Sequence, residues 1–460
     1  MPLFIEEGLC DDVVLQRDEN DVAEVTIWGS LTVETEGPVI ASVSRREAPI
    51  EGFDRVVVGS ANAGKWSARL SEIPAGGPYT IELIVGKESL TVRGVLVGDL
   101  WVLAGQSNME GCGDLIDVEE PSPYIHVFDM ADRWHIAEEP LHWLIDSPDS
   151  GHCESSGEEQ RRQQIEARQT RAKGAGLGLP FANIMYRETG VPIGLIACAH
   201  GGTSMQQWSP DLKHLEGGSL YGSMLRRVRL AGGKVAGVLW YQGESDANPT
   251  DAPLYTERMK ALVSHIRRDF KDPRLPFYYV QIGRFVTPSE WGHMDANDWN
   301  DIQEQQRKLV DVIPGTGMAT AVDLELDDLI HVGTDGLKRL GARLAVLALS
   351  GDQGVLVAGV HVEGDERNRI RVVFDGIGDE GFEDSLRVTG FSIHDLKGSP
   401  LPAIYKAQVD AESPTDILLD LVSPVGEWWQ LRYGWGFDPP CTLTDTEDRG
   451  IPVFGPMRLA

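Results

Sequence analysis

Between Gly98 and about Ser350 the sequence alternates short apolar runs with amphipathic segments, and this alternation limits the possible folds more than any other feature. The apolar runs are nearly unbroken, which is typical of strands buried on both faces of a parallel sheet. Repeated strand–helix units predict such a sheet with helices on both faces, an α/β fold. The predicted strands are Leu100–Ala104, Gly194–Ala199, Gly237–Tyr241, Phe277–Ile282 and Met318–Val322, and the predicted helices are Leu177–Glu188, Leu220–Leu230, Tyr255–Phe270, Asp301–Val312 and Leu337–Leu349.

The regions before and after this α/β part contain short alternating or β-branched runs separated by glycine and proline turns. This pattern predicts β-sandwich-like domains at both ends of the 460-residue chain. We therefore divide the chain into an N-terminal β domain (1–97), an α/β domain (98–350) and a C-terminal β domain (351–460). Within the α/β domain, residues 113–173 are polar and proline-rich, which predicts an insertion with one charged, solvated helix at Glu158–Arg171.

The charge balance excludes several classes of partner. The chain has 41 basic and 71 acidic residues, a net charge of −30. Such a surface repels nucleic acid and anionic membranes and favours neutral or cationic substrates. The five cysteines are scattered and form no CxxC pair, so neither a zinc ribbon nor a disulfide framework is predicted.

The sequence shows no targeting segment. Its N-terminus has no basic region followed by an apolar core, and no run approaches the roughly 18 apolar residues of a membrane helix. We expect a soluble protein that is cytoplasmic or that is exported with its signal missing from this sequence. The stretch Gly59–Lys65 imitates a phosphate-binding loop, but Trp66 stands where a magnesium-binding Ser or Thr is needed, so no nucleotide site is predicted.

A candidate nucleophile follows the first strand of the predicted sheet. Gly105 permits a sharp turn, and Ser107 then lies just past the carboxyl end of the strand, where open α/β sheets place their ligands. A serine at this position can also simply cap the next helix. A nucleophilic role therefore requires a base, an orienting acid and an oxyanion site elsewhere in the chain.

A base and an acid occur together near the end of the α/β region. Asp328 precedes His331 by three residues on one loop, a spacing that lets the carboxylate accept the imidazole Nδ1–H and leaves Nε2 facing a serine. Asp323 and Asp327 are competing acids that the sequence does not exclude.

Two more strand ends supply polar groups. The paired glycines Gly201 and Gly202 follow one strand, and a backbone N–H there can bind an oxyanion, although a tight turn explains them equally well. Gln242 follows the next strand, and its side-chain NH2 is another possible donor. Ser245 in the same loop is a weaker nucleophile candidate.

Four ordered motifs carry a resemblance to a known family. These motifs resemble those of the sialate O-acetylesterases, a branch of the SGNH hydrolases. They are Gly-Gln-Ser-Asn-Met at 105–109, His-Gly-Gly-Thr at 200–203, Trp-Tyr-Gln-Gly-Glu-Ser at 240–245 and Asp-x-x-His at 328–331. Similar short motifs in the regions before and after the α/β domain extend the resemblance over nearly the whole chain. Two features depart from the family pattern, namely Val332 in place of the frequent proline and the long 113–173 insertion.

The resemblance implies a three-layer α/β/α fold and a role for each matching residue. Ser107 is the implied nucleophile, His331 the base and then acid, and Asp328 the orienting acid. The implied oxyanion hole combines the Ser107 N–H with a glycine N–H, Gly201 being preferred to Gly202, and with Gln242 in place of the superfamily's usual asparagine. The neighbouring motif residues are predicted to bind substrate, and these are Gln106, Asn108, His200 and Glu244.

These features together predict a serine esterase that removes O-acetyl groups from a carbohydrate through an acetyl-enzyme, with no metal or organic cofactor. Two alternatives stay open, a non-catalytic carbohydrate-binding protein and an SGNH hydrolase acting on another ester. The net charge favours a neutral acetylated polysaccharide over sialic acid. The sequence does not identify the sugar, the oligomeric state or the role of the insertion.

Overall fold

The N-terminal region is a twisted antiparallel sheet that runs directly into the next part of the chain. The computed structural model describes residues 3–32, 36–286, 295–383 and 387–459. The region's strands are β1 (Leu3–Glu7), β2 (Val14–Gln16), β3 (Val22–Leu31), β4 (Gly37–Arg45), β5 (Ala48–Pro49), β6 (Val56–Asn62), β7 (Lys65–Pro74) and β8 (Gly76–Val85). They pair in the order β1-β3-β7-β6-β4-β8. The segment that imitates a phosphate loop is the β6–β7 hairpin, in which Asn62 pairs with Lys65.

The central region is the predicted α/β fold. Its elements are β9 (Glu88–Gly105), α1 (Ser107–Glu110), β10 (Gly113–Asp114), β11 (Ile125–Phe128), β12 (Trp134–Ile136), α2 (Gly157–Thr170), β13 (Lys173–Ala175), α3 (Gly178–Thr189), β14 (Ile193–Ala197), α4 (Leu220–Leu230), β15 (Gly237–Tyr241), α5 (Tyr255–Asp269), β16 (Phe277–Gln281), α6 (Ala296–Val312), β17 (Thr316–Thr320) and α7 (Thr334–Ser350). The sheet order is β12-β11-β14-β9-β15-β16-β17, parallel except for β12. Every residue of β14, β15, β16 and β17 is buried, which explains their unbroken apolar sequences.

Helices cover this sheet as the sequence predicts. Helix α3 packs against α7, and α5 packs against α6. The three-layer α/β class is therefore confirmed. The charged helix α2 has no buried residue, in agreement with the predicted solvated face. None of the described helices is long and apolar enough to cross a membrane.

One strand joins the first two regions. β9 is 18 residues long; its first half pairs with β8 and β2, and its second half pairs with β14 and β15. The predicted domain boundary between residues 97 and 98 falls inside this strand. Buried side chains of both regions also form a single hydrophobic cluster. The two regions thus share a backbone ladder and a core.

The predicted insertion needs a correction. Residues 113–173 include β11 and β12, and β11 pairs in parallel with β14, so part of this segment belongs to the central sheet. The strand was missed because it has only four residues and follows Pro121 and Pro123, which indicated a loop. The remainder forms polar connections, the exposed helix α2 and β10, which pairs with β13.

The C-terminal region has its own core between two four-stranded sheets. Its strands are β18 (Leu356–Glu363), β19 (Arg369–Asp375), β20 (Phe391–His394), β21 (Pro400–Leu401), β22 (Ile404–Val409), β23 (Asp416–Leu421), β24 (Gln430–Tyr433) and β25 (Phe454–Arg458). The sheet orders are β18-β19-β23-β22 and β21-β20-β24-β25. Polar contacts attach the region to the central one: the Gln281 amide bonds to both backbone groups of Val453, at 2.8 and 2.9 Å.

Candidate active site

Ser107 lies at the turn between β9 and α1. The turn requires glycine at position 105, where φ is 133° and a Cβ atom would lie 2.2 Å from the Tyr241 carbonyl oxygen. Gln106 is the N-cap residue of α1 and makes no side-chain cap, and Ser107 is the first helical residue. Within the described residues the Ser107 hydroxyl has no hydrogen-bond partner, so it is not used as a helix cap. It is half-buried and available for chemistry.

The loop after β17 brings Asp328 and His331 into contact. The His331 Nδ1 atom lies 2.8 Å from Asp328 Oδ2. Asp328 Oδ1 also accepts the backbone N–H groups of Ile330 and His331, at 3.0 and 2.9 Å. Burial alone would raise the pKa of Asp328, but these N–H groups and the imidazole lower it to about 2. The carboxylate is therefore ionised and fixed toward the imidazole, as an orienting acid must be.

The two competing acids are engaged elsewhere. Asp323 forms an ion pair with Arg343 at 2.7 Å. Asp327 accepts the Asp114 N–H at 2.8 Å. Of the three predicted candidates, only Asp328 contacts His331 through its side chain among the described residues.

Asn108 links the serine to the other motif loops. Its amide Nδ2 donates to Glu244 Oε1 at 2.9 Å, and its Oδ1 accepts the Val332 N–H at 3.0 Å. Asn108 and Glu244 are 1% and 7% exposed. Burial raises the pKa of Glu244, and the Asn108 bond opposes the rise. The side chain next to the nucleophile thus fixes the loop of the base.

Three of the predicted substrate-binding residues therefore have internal roles. Gln106 is 3% exposed, and its Oε1 accepts the N–H groups of Gly243 and Ser245 at 3.4 and 3.3 Å. Asn108 and Glu244 bond to each other. Each of these residues follows a strand end and turns inward to connect the loops, and its part in substrate binding stays a prediction. Ser245 donates its amide to the same network.

His200 is the fourth predicted substrate-binding residue, and it is half-buried. Its ring stacks on that of His152, with the two Nδ1 atoms 3.2 Å apart. Burial lowers the pKa of both histidines, so one neutral ring donates to the other. His152 comes from the 113–173 segment and was missed, because nothing in the sequence pairs it with a residue 48 positions away.

The two glycine N–H groups of the loop after β14 differ in their hydrogen bonds. The Gly201 N–H is engaged with Glu110 Oε2 at 2.8 Å. Gly202 is exposed and has a φ of 68°, and a Cβ atom built on it would have no heavy atom within 4 Å. The Gly202 N–H has no acceptor in the described part of the chain. The amide of Gly202 is thus the free one of the pair.

Gln242 is also placed differently from the prediction. It is completely buried, and its Nε2 donates to the Thr203 carbonyl at 3.1 Å and to Asp246 Oδ2 at 2.6 Å. These bonds use the NH2 group that an oxyanion would need. Gln242 instead holds the glycine loop against the following loop. Asp246, which the sequence analysis missed, also accepts the Met205 N–H at 2.9 Å.

Two cations from the end of the 113–173 segment face the site. Lys173 Nζ lies 3.6 Å from Asp328 Oδ2, and Arg171 Nη2 lies 3.7 Å from Glu110 Oε1. Neither contact was predicted, because each joins residues more than 60 positions apart. Among the described residues no cluster of three or more His, Cys, Asp or Glu side chains is arranged for a metal ion.

The site therefore combines a free hydroxyl, an imidazole fixed by an ionised carboxylate, and a free amide at the carboxyl edge of one sheet. This arrangement suits nucleophilic acyl transfer.

Comparison with known proteins agrees with that chemistry. Residues 97–350 match the model of the family described as carbohydrate esterase, sialic acid-specific acetylesterase. A probable carbohydrate esterase of Arabidopsis thaliana is 32% identical over 275 residues, 55% of this chain and 90% of that protein. Human sialate O-acetylesterase is 25% identical over 359 residues, 68% of this chain and 64% of that protein.

A similar fold extends over almost the entire chain. The crystal structure of a carbohydrate acetylesterase from Xanthomonas citri superposes with a TM-score of 0.68 at 24% identity, covering 98% of this chain and 99% of the other. The flanking β regions therefore belong to a shared architecture. The chain is a carboxylic ester hydrolase and belongs to the carbohydrate esterase family of sialic acid-specific acetylesterases.

Proposed function

We propose that this protein is a serine esterase that removes O-acetyl groups from a carbohydrate through an acetyl-enzyme intermediate. The observation that carries the proposal is the 2.8 Å contact between His331 and Asp328 at the sheet edge that also presents the unbonded Ser107 hydroxyl. The family membership supports O-deacetylation as the reaction.

In the first step the Ser107 Oγ attacks the acetyl carbonyl carbon while its proton passes to His331 Nε2. Asp328 accepts the Nδ1–H and stabilises the imidazolium. The structure contains no hydrogen bond between Ser107 and His331. Such bonds are often long without substrate and tighten in the complex.

The carbonyl oxygen becomes an oxyanion that needs donors. We assign this role to the Ser107 N–H and the Gly202 N–H, because Gly201 and Gln242 already donate to internal acceptors. One such donor typically contributes about 3 kcal/mol to transition-state stabilisation.

The sugar hydroxyl then leaves with the proton from His331, and the acetyl group stays on Ser107. Water, deprotonated by His331, hydrolyses the acetyl-enzyme and restores the serine. The net charge of −30 favours a neutral acetylated glycan over an anionic one at long range.

Acetate release from a panel of O-acetylated sialic acids, xylan oligomers and aryl acetates tests the proposal. We expect release from acetylated carbohydrate and a loss of at least about 10³-fold in kcat for Ser107→Ala. Trapping radiolabelled acetyl on the wild-type protein, but not on Ser107→Ala, identifies the intermediate. Retention of most aryl acetate hydrolysis by Ser107→Ala would contradict the assignment. Glycan binding without acetate release would favour a binding protein.

A further inference from the structure

The Glu110 carboxylate lies directly behind the nucleophile, yet it takes no part in the proposed reaction. Glu110 is the last residue of α1, one turn after Ser107. Its Oε2 accepts the Gly201 N–H at 2.8 Å, and its side chain is 14% exposed. A Cβ atom built on Gly201 would lie 3.5 Å from the Ser107 Cβ and 3.0 Å from Glu110 Oε2. The carboxylate, the glycine peptide and the serine are thus in one small volume.

The other contacts of the glycine loop explain why this bond matters. Upstream, the His200 N–H donates to the Gly105 carbonyl at 3.0 Å. Downstream, Gln242 binds the Thr203 carbonyl at 3.1 Å. Between these two anchors, the bond from Gly201 to Glu110 is the only hydrogen bond that either glycine N–H makes to another described residue. It fixes the orientation of the Gly201 peptide, and Gly202 follows it directly.

A carboxylate in this position needs a counter-charge. Burial raises the pKa of Glu110, whereas the Gly201 N–H, Arg171 and His331 lower it. The Arg171 guanidinium lies 3.7 Å from Glu110 Oε1. Without the Arg171 guanidinium, a negative charge on Glu110 would repel an oxyanion formed at Ser107.

Arg171 is itself held in place. Its Nε donates to the Lys173 carbonyl at 2.8 Å and its Nη1 to the His142 carbonyl at 3.0 Å. Its guanidinium lies 4.9 Å from the centre of the Trp143 ring. The 113–173 segment therefore delivers a fixed cation to the back of the oxyanion site.

We propose that Glu110 is a positioning residue for the oxyanion hole: it fixes the Gly201 peptide so that the Gly202 N–H faces the reacting carbonyl, and Arg171 neutralises it. This proposal rests on the serine esterase mechanism above. It assigns to the end of the 113–173 segment an electrostatic role in the reaction.

Steady-state kinetics with p-nitrophenyl acetate test the first part. Glu110→Ala removes the acceptor, and we expect kcat to fall about 10- to 100-fold with KM within about 3-fold, because the lost contact acts in the transition state. Glu110→Gln keeps an oxygen acceptor for Gly201, and we expect it to retain at least about one third of kcat. Inactivation by diethyl p-nitrophenyl phosphate, which needs the same donors, should slow in Glu110→Ala by a similar factor. Exposed Glu120→Ala is the matched control and should leave kcat unchanged.

A double-mutant cycle tests the second part. Arg171→Met removes the counter-charge of Glu110, and we expect kcat to fall about 5- to 20-fold. In the Glu110→Gln background there is no charge to neutralise, so adding Arg171→Met should change kcat by less than about 2-fold. Equal losses in both backgrounds would overturn the role of Arg171.

The outcomes separate this proposal from the mechanism on which it rests. An active Ser107→Ala overturns the mechanism and the proposal together. An inactive Ser107→Ala with a Glu110→Ala kcat within 3-fold of wild type overturns only the role of Glu110. A Glu110→Gln variant that melts like the wild type but is as slow as Glu110→Ala also overturns it, because Gln preserves the acceptor. Thermal melting of every variant identifies unfolded protein.

Discussion

The candidate active site consists of two halves that are built differently. The half that follows the central strands is buried: Asn108, Gln242 and Glu244 are at most 7% exposed, and each bonds to another motif loop. The half on the loop after β17 is open: the Asp328 and His331 side chains are 36% and 23% exposed. The first half is fixed by burial and the second by local hydrogen bonds and ion pairs.

This difference predicts different consequences of substitution. Replacing a buried linking residue leaves its partners without hydrogen bonds in a dry environment, so it destabilises the fold as well as the site. Replacing an exposed residue of the loop half changes the chemistry and alters the free energy of unfolding much less, because water screens its contacts. The four predictions below test this contrast, beginning with the largest expected effect.

The largest effect is expected from Asp328→Asn. An amide in place of the carboxylate no longer fixes the imidazole tautomer or stabilises the imidazolium, so kcat should fall about 10³- to 10⁴-fold. The midpoint of urea unfolding should change much less than for a buried linking residue, because Asp328 is more than one third exposed and Asn keeps an oxygen acceptor for the two backbone N–H groups. Asp327→Asn is the comparison variant. A larger loss of kcat in Asp327→Asn than in Asp328→Asn would show that Asp327, and not Asp328, is the orienting acid.

The converse is expected for Asn108→Leu. Leucine has a similar volume but leaves the Glu244 carboxylate and the Val332 N–H without their bonds. We expect a loss of about 3 kcal/mol in unfolding free energy, together with a fall in kcat of about 100-fold. Urea denaturation and kinetics on the same preparation measure both. A stable but inactive variant would show that Asn108 does not hold the two halves together.

A smaller, pH-dependent effect is expected from Lys173→Met. The ammonium lies 3.6 Å from Asp328, and without it the carboxylate stabilises a protonated His331 more strongly. The acid limb of the kcat/KM profile should therefore move to higher pH by about 0.5 unit. Because Lys173 is 41% exposed, 0.5 M NaCl should reduce the shift. A shift to lower pH would contradict this explanation.

The smallest effect on the reaction is expected at the half-buried Glu139, which supports the 113–173 segment. It accepts the N–H groups of Gly176 and Leu141, both at 3.1 Å, and burial raises its pKa from 4.5 to about 7. The folded state therefore keeps the proton to higher pH than the unfolded state, and stability falls as pH rises from about 4.5 to 7. The full difference is about 3 kcal/mol.

Thermal melting between pH 5 and pH 8 measures this effect. The wild-type protein should lose more stability over this range than Glu139→Gln, which has no group to titrate at this position. Exposed Glu138→Gln serves as the control and should follow the wild-type curve. Parallel curves for Glu139→Gln and wild type would show that Glu139 does not titrate in this range.

The strands and helices of the central sheet were largely predictable because burial on both faces leaves a direct pattern in the sequence. Predicted Gly237–Tyr241 is β15 without change, and predicted Leu220–Leu230 is α4. β11 was not predictable, since four residues between prolines do not establish a period. In the C-terminal region the alternating run Leu386–Ile393 also predicts a strand; β20 covers its last three residues, and Leu386 lies outside the described residues.

The site was predictable where its contacts are local. Asp328 and His331 are three residues apart, and their contact follows from that spacing alone. The contacts of Gln242 were not predictable, because its NH2 group turns inward to Thr203 and Asp246 on other loops. Contacts such as that between Glu110 and Gly201 join residues 91 positions apart, which only the folded sheet brings together.

The continuous strand β9 has a consequence for how such chains can be recombined. An N-terminal module attached by a linker could be exchanged at its boundary without touching the catalytic centre. Here a cut near residue 97 would divide the strand that presents Ser107. A one-residue slip against β8 would also reverse which side chains of the strand face the core. A functional chimera must therefore inherit residues 88–105 as one piece, together with the β8 register that fixes it.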